Sequence, residues 1–581
     1  MSYMSRYRDW LLSDYFDEST KAELEAIKEN EAEIEDRFYK NLDFGTGGMR
    51  GKMGAGTNRI NKYTVRKATQ GLANYIINYS DNGRQRGVVI AYDSRHNSAE
   101  FALEAALVLA ANGIKTFLFS EMRPTPELSF AVRHLNAVGG IVITASHNPP
   151  EYNGYKVYWQ DGGQVVPAQA RDIIAEIEEI DDFAIVKTIS KEAAQADRLL
   201  KYLDQEVDAA YQQALIDVLP QLDLAAEQGK KLKVVYTPLH GTGSTAVPQL
   251  LKKIGFTNFK LVKAQADGDP EFSTVESPNP EDRSAFKLAL ELAEQEQADL
   301  ILATDPDADR MAAVVKTASG EYQALNGNET GVLFTDYLLN TGQKNNSLAA
   351  TGVIVKTIVS TEMAAQIAAA YNIEIVDVLT GFKYIGEKIT EFEKEDNKKF
   401  LLGFEESLGY LIGEYARDKD AVVAAALFAI MALSYQLQNK TVLDRLAELR
   451  AEYGYYLEDL ESLRLEGKEG QEKISKTINK LREELPTKIA GRKVVNVKDY
   501  QQSKEFDLTA DTEKEIKLPK SNVLQFLLAD QAKLTIRPSG TEPKLKLYFA
   551  VCEEDEEQAE EKLAQFKAEF MEQVEKLINS F

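Results

Sequence analysis

Three aspartates stand at alternate positions, Asp305, Asp307 and Asp309 in DPDADR, directly after the apolar segment ADLILAT. In an extended loop alternate residues face one way, so the three carboxylates converge. Converging anions need a cation, and hard oxygen ligands favour Mg2+. The loop is not an EF-hand, because Arg310 and Lys316 occupy the sixth and twelfth positions, where Gly and Glu are required. A solvated acidic turn is the ordinary alternative for a charge run taken alone. A second station is Thr144-Ala145-Ser146-His147-Asn148-Pro149, after the strand-like GGIVIT. A serine at a strand end beside His and Asn, in a segment closed by proline, reads as a rigid exposed loop suited to a nucleophile. The glycines of a hydrolase elbow are missing, since Ala145 and His147 flank Ser146.

Two further stations are weaker alone. Gly403-Phe404-Glu405-Glu406-Ser407 follows the apolar KFLL and offers a carboxylate and a hydroxyl for vicinal sugar hydroxyls. Arg537-Pro538-Ser539-Gly540-Thr541-Glu542-Pro543 combines a guanidinium, two hydroxyls and a glycine turn, a phosphate cradle without a Walker motif. Near the start, residues 44–52 (FGTGGMRGK) add Arg50 on a glycine-rich loop. This is not a P-loop, because Thr46 stands at its first glycine and Met53 follows Lys52.

The elements that must carry these loops recur. Residues 87–119, 231–263 and 351–378 each read as an apolar strand, a Ser/Thr-rich loop, an amphipathic helix and a short turn into a second strand. These are βαβ units, and their repetition predicts three related α/β domains. Residues 1 to about 40 read as helical, with Thr20 and Glu23 as a capping box. A charged stretch over 440–485 reads as helical, and the remainder as strands with a closing helix, a smaller α+β domain. The expected division is 1–205 with the serine loop, 206–322 with the metal loop, 323–445 with the sugar loop, 446–490 as a helical linker, and 491–581 with the phosphate cradle.

The chain has 581 residues, enough for several cores. Its net charge of −24 argues against nucleic acid as a partner, which requires a positive face. Local basic stations still suit a small phosphorylated substrate, because distant charges are screened within ~8 Å. One cysteine, no leader-like apolar run and no long uncharged apolar stretch lead to the expectation of a cytoplasmic protein without a membrane span. A competing signal is Gly241-Thr242-Gly243-Ser244-Thr245-Ala246 with Asp267 downstream, which matches a dinucleotide fingerprint. The other two repeats lack these glycines, which weighs against a nicotinamide enzyme.

TASHNP, DPDADR, FEES and RPSGTEP, in that order and spacing, resemble the α-D-phosphohexomutase family over nearly the whole chain. Length, TPLHGTGS, TGFKYI and ARDKDAV look most like its longer bacterial branch, which acts on glucose phosphates and also resembles the phosphopentomutases. The resemblance implies a four-domain, heart-shaped enzyme with its site in a central cleft. It also implies interconversion of glucose 1-phosphate and glucose 6-phosphate through a phosphoserine, with glucose 1,6-bisphosphate as intermediate and activator. Mannose or pentose phosphates are the alternatives, and a non-catalytic sugar-phosphate-binding relative is the reading outside the class. On this resemblance Ser146 would be the phosphorylated serine and a Mg2+ ligand beside Asp305, Asp307 and Asp309. Glu405 and Ser407 would bind sugar hydroxyls, helped by Thr380, Gly381 and Lys419. Arg537, Ser539, Gly540 and Thr541 would hold the phosphate that is not reacting. Arg50, His147, Lys156 and Arg310 would surround the transferring group, with His147, Lys156 and Lys419 all open as general base. Two positions depart from the family pattern: Gly48 replaces a frequent serine, and Leu408 stands where Gly is common.

Overall fold

The computed structural model describes residues 2–45, 47–465, 467–539 and 544–581. It divides into two compact units, Met1–Gly327 with Phe382–Thr441, and Asn328–Gly381 with Val442–Phe581.

The first unit opens with helices Tyr3–Leu12, Glu18–Ala26 and Glu31–Phe38, packed through Trp10, Phe16, Phe38 and Tyr63. The second helix starts one turn earlier than its sequence signal suggested. Asp17 caps it by accepting the Thr20 N–H, while Glu23 turns away to accept the Ala55 N–H. A seven-stranded sheet follows, ordered Phe44–Gly45, Gly48–Lys52, Tyr152–Trp159, Gly139–Ile143, Val88–Tyr92, Thr116–Phe119, Leu200–Leu203. A five-stranded sheet runs Tyr322–Ala324, Met311–Lys316, Leu300–Thr304, Val234–Thr237, Phe259–Leu261. The hairpin Lys399–Glu405 and Gly409–Ile412 leads to the helix Ala421–Gln436, whose residues 421–435 are all buried. A helix that is apolar all round belongs inside a core. Among the described residues no helix is long and apolar enough to cross a membrane.

Each predicted βαβ repeat forms a parallel strand pair joined by a helix: Val88–Tyr92 with Thr116–Phe119, Val234–Thr237 with Phe259–Leu261, and Gly352–Thr357 with Glu374–Val378. The last pair lies in the second unit, which also holds a sheet ordered Tyr455–Arg464, Lys544–Glu553, Lys533–Pro538, Leu524–Leu528, Arg492–Asp499, Lys504–Asp507, Thr512–Glu515. Here the helical reading of 446–490 needs correction. Val442–Tyr453 and Gly467–Glu483 are helices, but Tyr455–Arg464 is a strand, paired from Tyr455↔Glu553 to Arg464↔Lys544. Leu457 and Leu463, on one face of that strand, pack on the core, so a distant partner strand overrides the charge-rich local pattern.

The closing helix Glu556–Asn579 is capped by Asp555, which accepts the Gln558 N–H at 2.9 Å. Asp555→Ala is expected to cost about 1 kcal/mol of stability. Denaturant unfolding should show that loss, and Asp555→Asn should recover most of it.

Candidate active site

The serine loop and the aspartate loop meet within the first unit. Ser146 is 4% exposed, not on an open surface as its sequence setting suggested. Its hydroxyl donates to Asp305 Oδ2 at 2.6 Å and lies 3.0 Å from His147 Nδ1. Ser146 takes φ of 51°, and its N–H donates to the Thr144 hydroxyl. That left-handed backbone turns the hydroxyl onto the carboxylate.

The aspartates converge through a tight turn, not the extended loop expected. Ala308 has φ of 52°, its N–H donates to the Asp305 carbonyl, and Asp305 Oδ1 accepts the N–H groups of Asp309 and Arg310. Ligand oxygens of all three lie within 4.8 Å of one another, in side chains at most 1% exposed. Asp307 Oδ2 takes bonds from Lys156 at 2.8 Å and Thr125 Oγ1 at 3.0 Å, and Lys419 reaches Asp309 Oδ2 at 2.9 Å. Asp307 Oδ1 and Asp309 Oδ1 are buried with no hydrogen-bond partner. Buried carboxylate oxygens are costly unless paired, so this donor set fits a hard divalent cation.

The charges respond to this crowding. Burial, together with Asp309 and Asp307, pushes the Asp305 carboxyl well above the usual range. Burial would also raise Asp307, but Lys156, the hydrogen bond with Asp305 and Lys419 together outweigh it and hold that carboxyl below the ordinary value. Burial disfavours the Lys156 and Lys419 ammonium groups, yet the carboxylates around them keep both pKa values raised. His147 is driven well below its ordinary value by burial and by the cations Arg310 and Arg50, which leaves its imidazole neutral at physiological pH.

Other sequence-marked residues join the cluster. Arg50 donates to Asn148 Oδ1 at 2.9 Å, and Arg310 to Glu281 at 3.0 Å. Glu405 is buried, and its charge helps keep Lys419 protonated; Ser407 is half-buried in the following turn. The Met311 N–H donates to the Leu408 carbonyl, which ties the FEES turn to the strand after the aspartates. Thr380, Gly381, Arg537 and Ser539 belong to the second unit. Gly381 has φ of 112°, Arg537 lies half-buried on the strand Lys533–Pro538, and the Ser539 N–H donates to the Lys544 carbonyl at 2.8 Å. Gly540 and Thr541 lie outside the described residues.

The backbone explains the departure at Gly48 and leaves Leu408 without a structural explanation. A Cβ on Gly48, at φ of 135°, would come within 1.9 Å of the Tyr155 carbonyl oxygen, so no side chain fits there. Leu408 occupies φ of 63°, a conformation that favours Gly. The dinucleotide-like glycines serve packing. A Cβ on Gly241 would fall 2.4 Å from Pro306 Cα, and the Thr242 N–H donates to the Pro306 carbonyl at 2.8 Å. They let one loop back the aspartate turn. Sequence reasoning missed Thr125, Arg95 and Glu281. Arg95 follows a repeat strand at the same strand-to-helix position as other stations, which was its available signal.

The first unit thus gathers a buried serine, three cation-ready carboxylates and the ammonium groups of two lysines in one place. Models of the phosphoglucomutase/phosphomannomutase family match in order: α/β/α domain I over 41–184, domain II over 209–320, domain III over 326–453, and the C-terminal domain over 479–572. The chain is 41% identical over 530 residues to a phosphoglucomutase of Staphylococcus aureus strain MRSA252, covering 90% of this chain and 92% of that protein. It is 39% identical over 528 residues to the phosphoglucomutase of Staphylococcus haemolyticus strain JCSC1435, covering 90% and 93%. The open form of parafusin, a phosphoglucomutase from Paramecium, shares the fold with a TM-score of 0.69 at 17% identity, over 93% of this chain and 96% of that one. The chain belongs to the phosphoglucomutase/phosphomannomutase family.

Asp307→Asn is expected to weaken Mg2+ binding by upward of about tenfold, the usual loss when even an outer support of a ligand is removed. Titration calorimetry reads it directly. Gly241→Ala is expected to cost about 1–3 kcal/mol, because the added methyl overlaps Pro306 backbone that cannot easily give way. Thermal unfolding of the full-length protein checks this.

Proposed function

We propose that this protein interconverts glucose 1-phosphate and glucose 6-phosphate through a phosphoserine at Ser146, with Mg2+ and with glucose 1,6-bisphosphate as intermediate and activator. The observation that carries the reading is the Ser146 hydroxyl, 2.6 Å from Asp305 within the buried carboxylate trio. Names of the Staphylococcus relatives support glucose as the sugar.

Asp305, Asp307, Asp309 and the Ser146 oxygen would hold Mg2+, which when bound supplies positive charge to the transferring phosphoryl oxygens. Phosphoserine carries roughly −1.5 to −2 charges at neutral pH, so the surrounding cations hold it. In transfer, the 6-hydroxyl oxygen of glucose 1-phosphate bonds to phosphorus as the phosphorus–Oγ bond of Ser146 breaks, the hydroxyl giving its proton to a base of the site and Oγ taking one up. The bisphosphate then turns over and returns its 1-phosphate to Oγ. Neutral His147, 3.0 Å from Oγ, is suited to take the Ser146 proton as the phosphoryl group returns to Oγ, and only the imidazolium so formed can hand that proton back. Arg50, Arg310, Lys156 and Lys419 supply fixed charge, the dominant need of a loose phosphoryl transition state. Glu405 and Ser407, with Thr380 and Gly381, are assigned to the sugar hydroxyls, and Arg537, Ser539, Gly540 and Thr541 to the idle phosphate. Both ends of one sugar use the same cradle in turn, which suits a permissive set of Arg, Ser, Gly and Thr.

An activity panel over the 1-phosphates of glucose, mannose, ribose and N-acetylglucosamine tests the substrate, and glucose is expected to give the highest kcat/KM. Arg537→Ala is expected to lose roughly 2–4 kcal/mol in kcat/KM and to depend more strongly on added glucose 1,6-bisphosphate, because a charge-assisted grip on every bound species is gone. Wild-type KM and activator dependence in that variant would remove Arg537 from the site.

A further inference from the structure

We propose that Arg95 is a positioning residue for phosphoryl transfer, holding the Ser146 backbone in the one geometry that aims its oxygen; this rests on the function proposed above. Arg95 is 3% exposed and spends four N–H bonds on a single loop. One terminal nitrogen donates to the carbonyls of Ser146 and Asn148, both at 2.5 Å. The other donates to those of Pro149 at 2.8 Å and Tyr152 at 3.1 Å. The guanidinium pairs with Asp93 at 3.3 Å, both side chains being fully buried. Asp93 in turn accepts the Arg95 N–H and the Ser98 hydroxyl. The ring of Phe272, from the loop before residue 275, lies 4.8 Å from the guanidinium carbon.

The fork matters because Ser146 sits at φ of 51°, a backbone that L residues adopt only when their surroundings impose it. Four carbonyls drawn to one rigid, planar cation impose it. Each transfer exchanges the Ser146 hydroxyl for a dianionic ester and back, so the loop meets a different set of forces in each state. A fixed guanidinium keeps the oxygen in place through both. Lysine keeps the charge, but its three tetrahedral donors cannot reproduce the planar fork.

The test follows phosphate uptake on Ser146 by intact mass after mixing full-length protein with glucose 1,6-bisphosphate and Mg2+. Arg95→Lys is expected to slow uptake by about 100-fold, the scale of a misplaced reacting atom, and to lower kcat while leaving KM and Mg2+ affinity near wild type. Phe272→Leu keeps every donor of the fork but removes the ring that holds the guanidinium in place, and is expected to slow uptake by about tenfold. Wild-type uptake rates in both variants would overturn the positioning role, as would losses that merely track weaker Mg2+ binding or a lower folded fraction. A wild-type protein that takes no phosphate on Ser146 would instead remove the function on which the proposal rests.

Discussion

Like charges taken out of water repel one another, and Asp305, Asp307 and Asp309 are buried with ligand oxygens within 4.8 Å. At such separations, with an effective dielectric near 20, each pair of charges costs on the order of 4 kcal/mol. Much of the first unit answers that cost. Lys156 comes from the strand Tyr152–Trp159, Lys419 from the loop before the buried helix Ala421–Gln436, and Thr125 from the start of the helix Thr125–His134. The Asp305 carboxylate also closes its own turn by accepting two N–H groups. Behind the turn, Gly241 allows the approach of a second loop, and the Ala421 N–H donates to the Ala308 carbonyl at 3.2 Å. Two buried oxygens without hydrogen-bond partners are the ones that suit a cation.

On the proposed function, this accounts for the burial of the serine. A phosphoryl group on Ser146 needs concentrated positive charge beside it, and the carboxylates gather the lysines as well as suiting a metal. His147 stays neutral in the same field because burial, with Arg310 and Arg50 beside it, opposes its protonation. One cluster therefore sets both the charge around Ser146 and the proton state of its neighbour.

Much of this was legible from residue types and spacing. The period of apolar strand, polar loop and amphipathic helix marked all three parallel pairs, and the stations sit at strand ends, where α/β folds expose loops. Alternate aspartates were enough to foresee convergence, although the turn at Ala308 replaces an extended loop. What escaped depends on partners distant in sequence. Tyr455–Arg464 is a strand only because Lys544–Glu553 lies beside it. Arg95 and Thr125 act on loops about 50 and 180 residues away, as their separations of 51 and 182 show, and no local pattern reports such contacts. Gly48 looked like a departure until the backbone gave its reason, whereas Leu408 sits in a left-handed conformation that Gly adopts more readily.

The central claim is that Ser146 carries the phosphoryl group between the two ends of one sugar. Peptide mapping after incubation with glucose 1,6-bisphosphate labelled in both phosphates tests it most directly. One phosphate per chain is expected, on Ser146, discharged when unlabelled glucose 1-phosphate is added. Label on Thr144 or Ser539 with Ser146 unmodified, or full turnover with no phosphorylated residue, would contradict it.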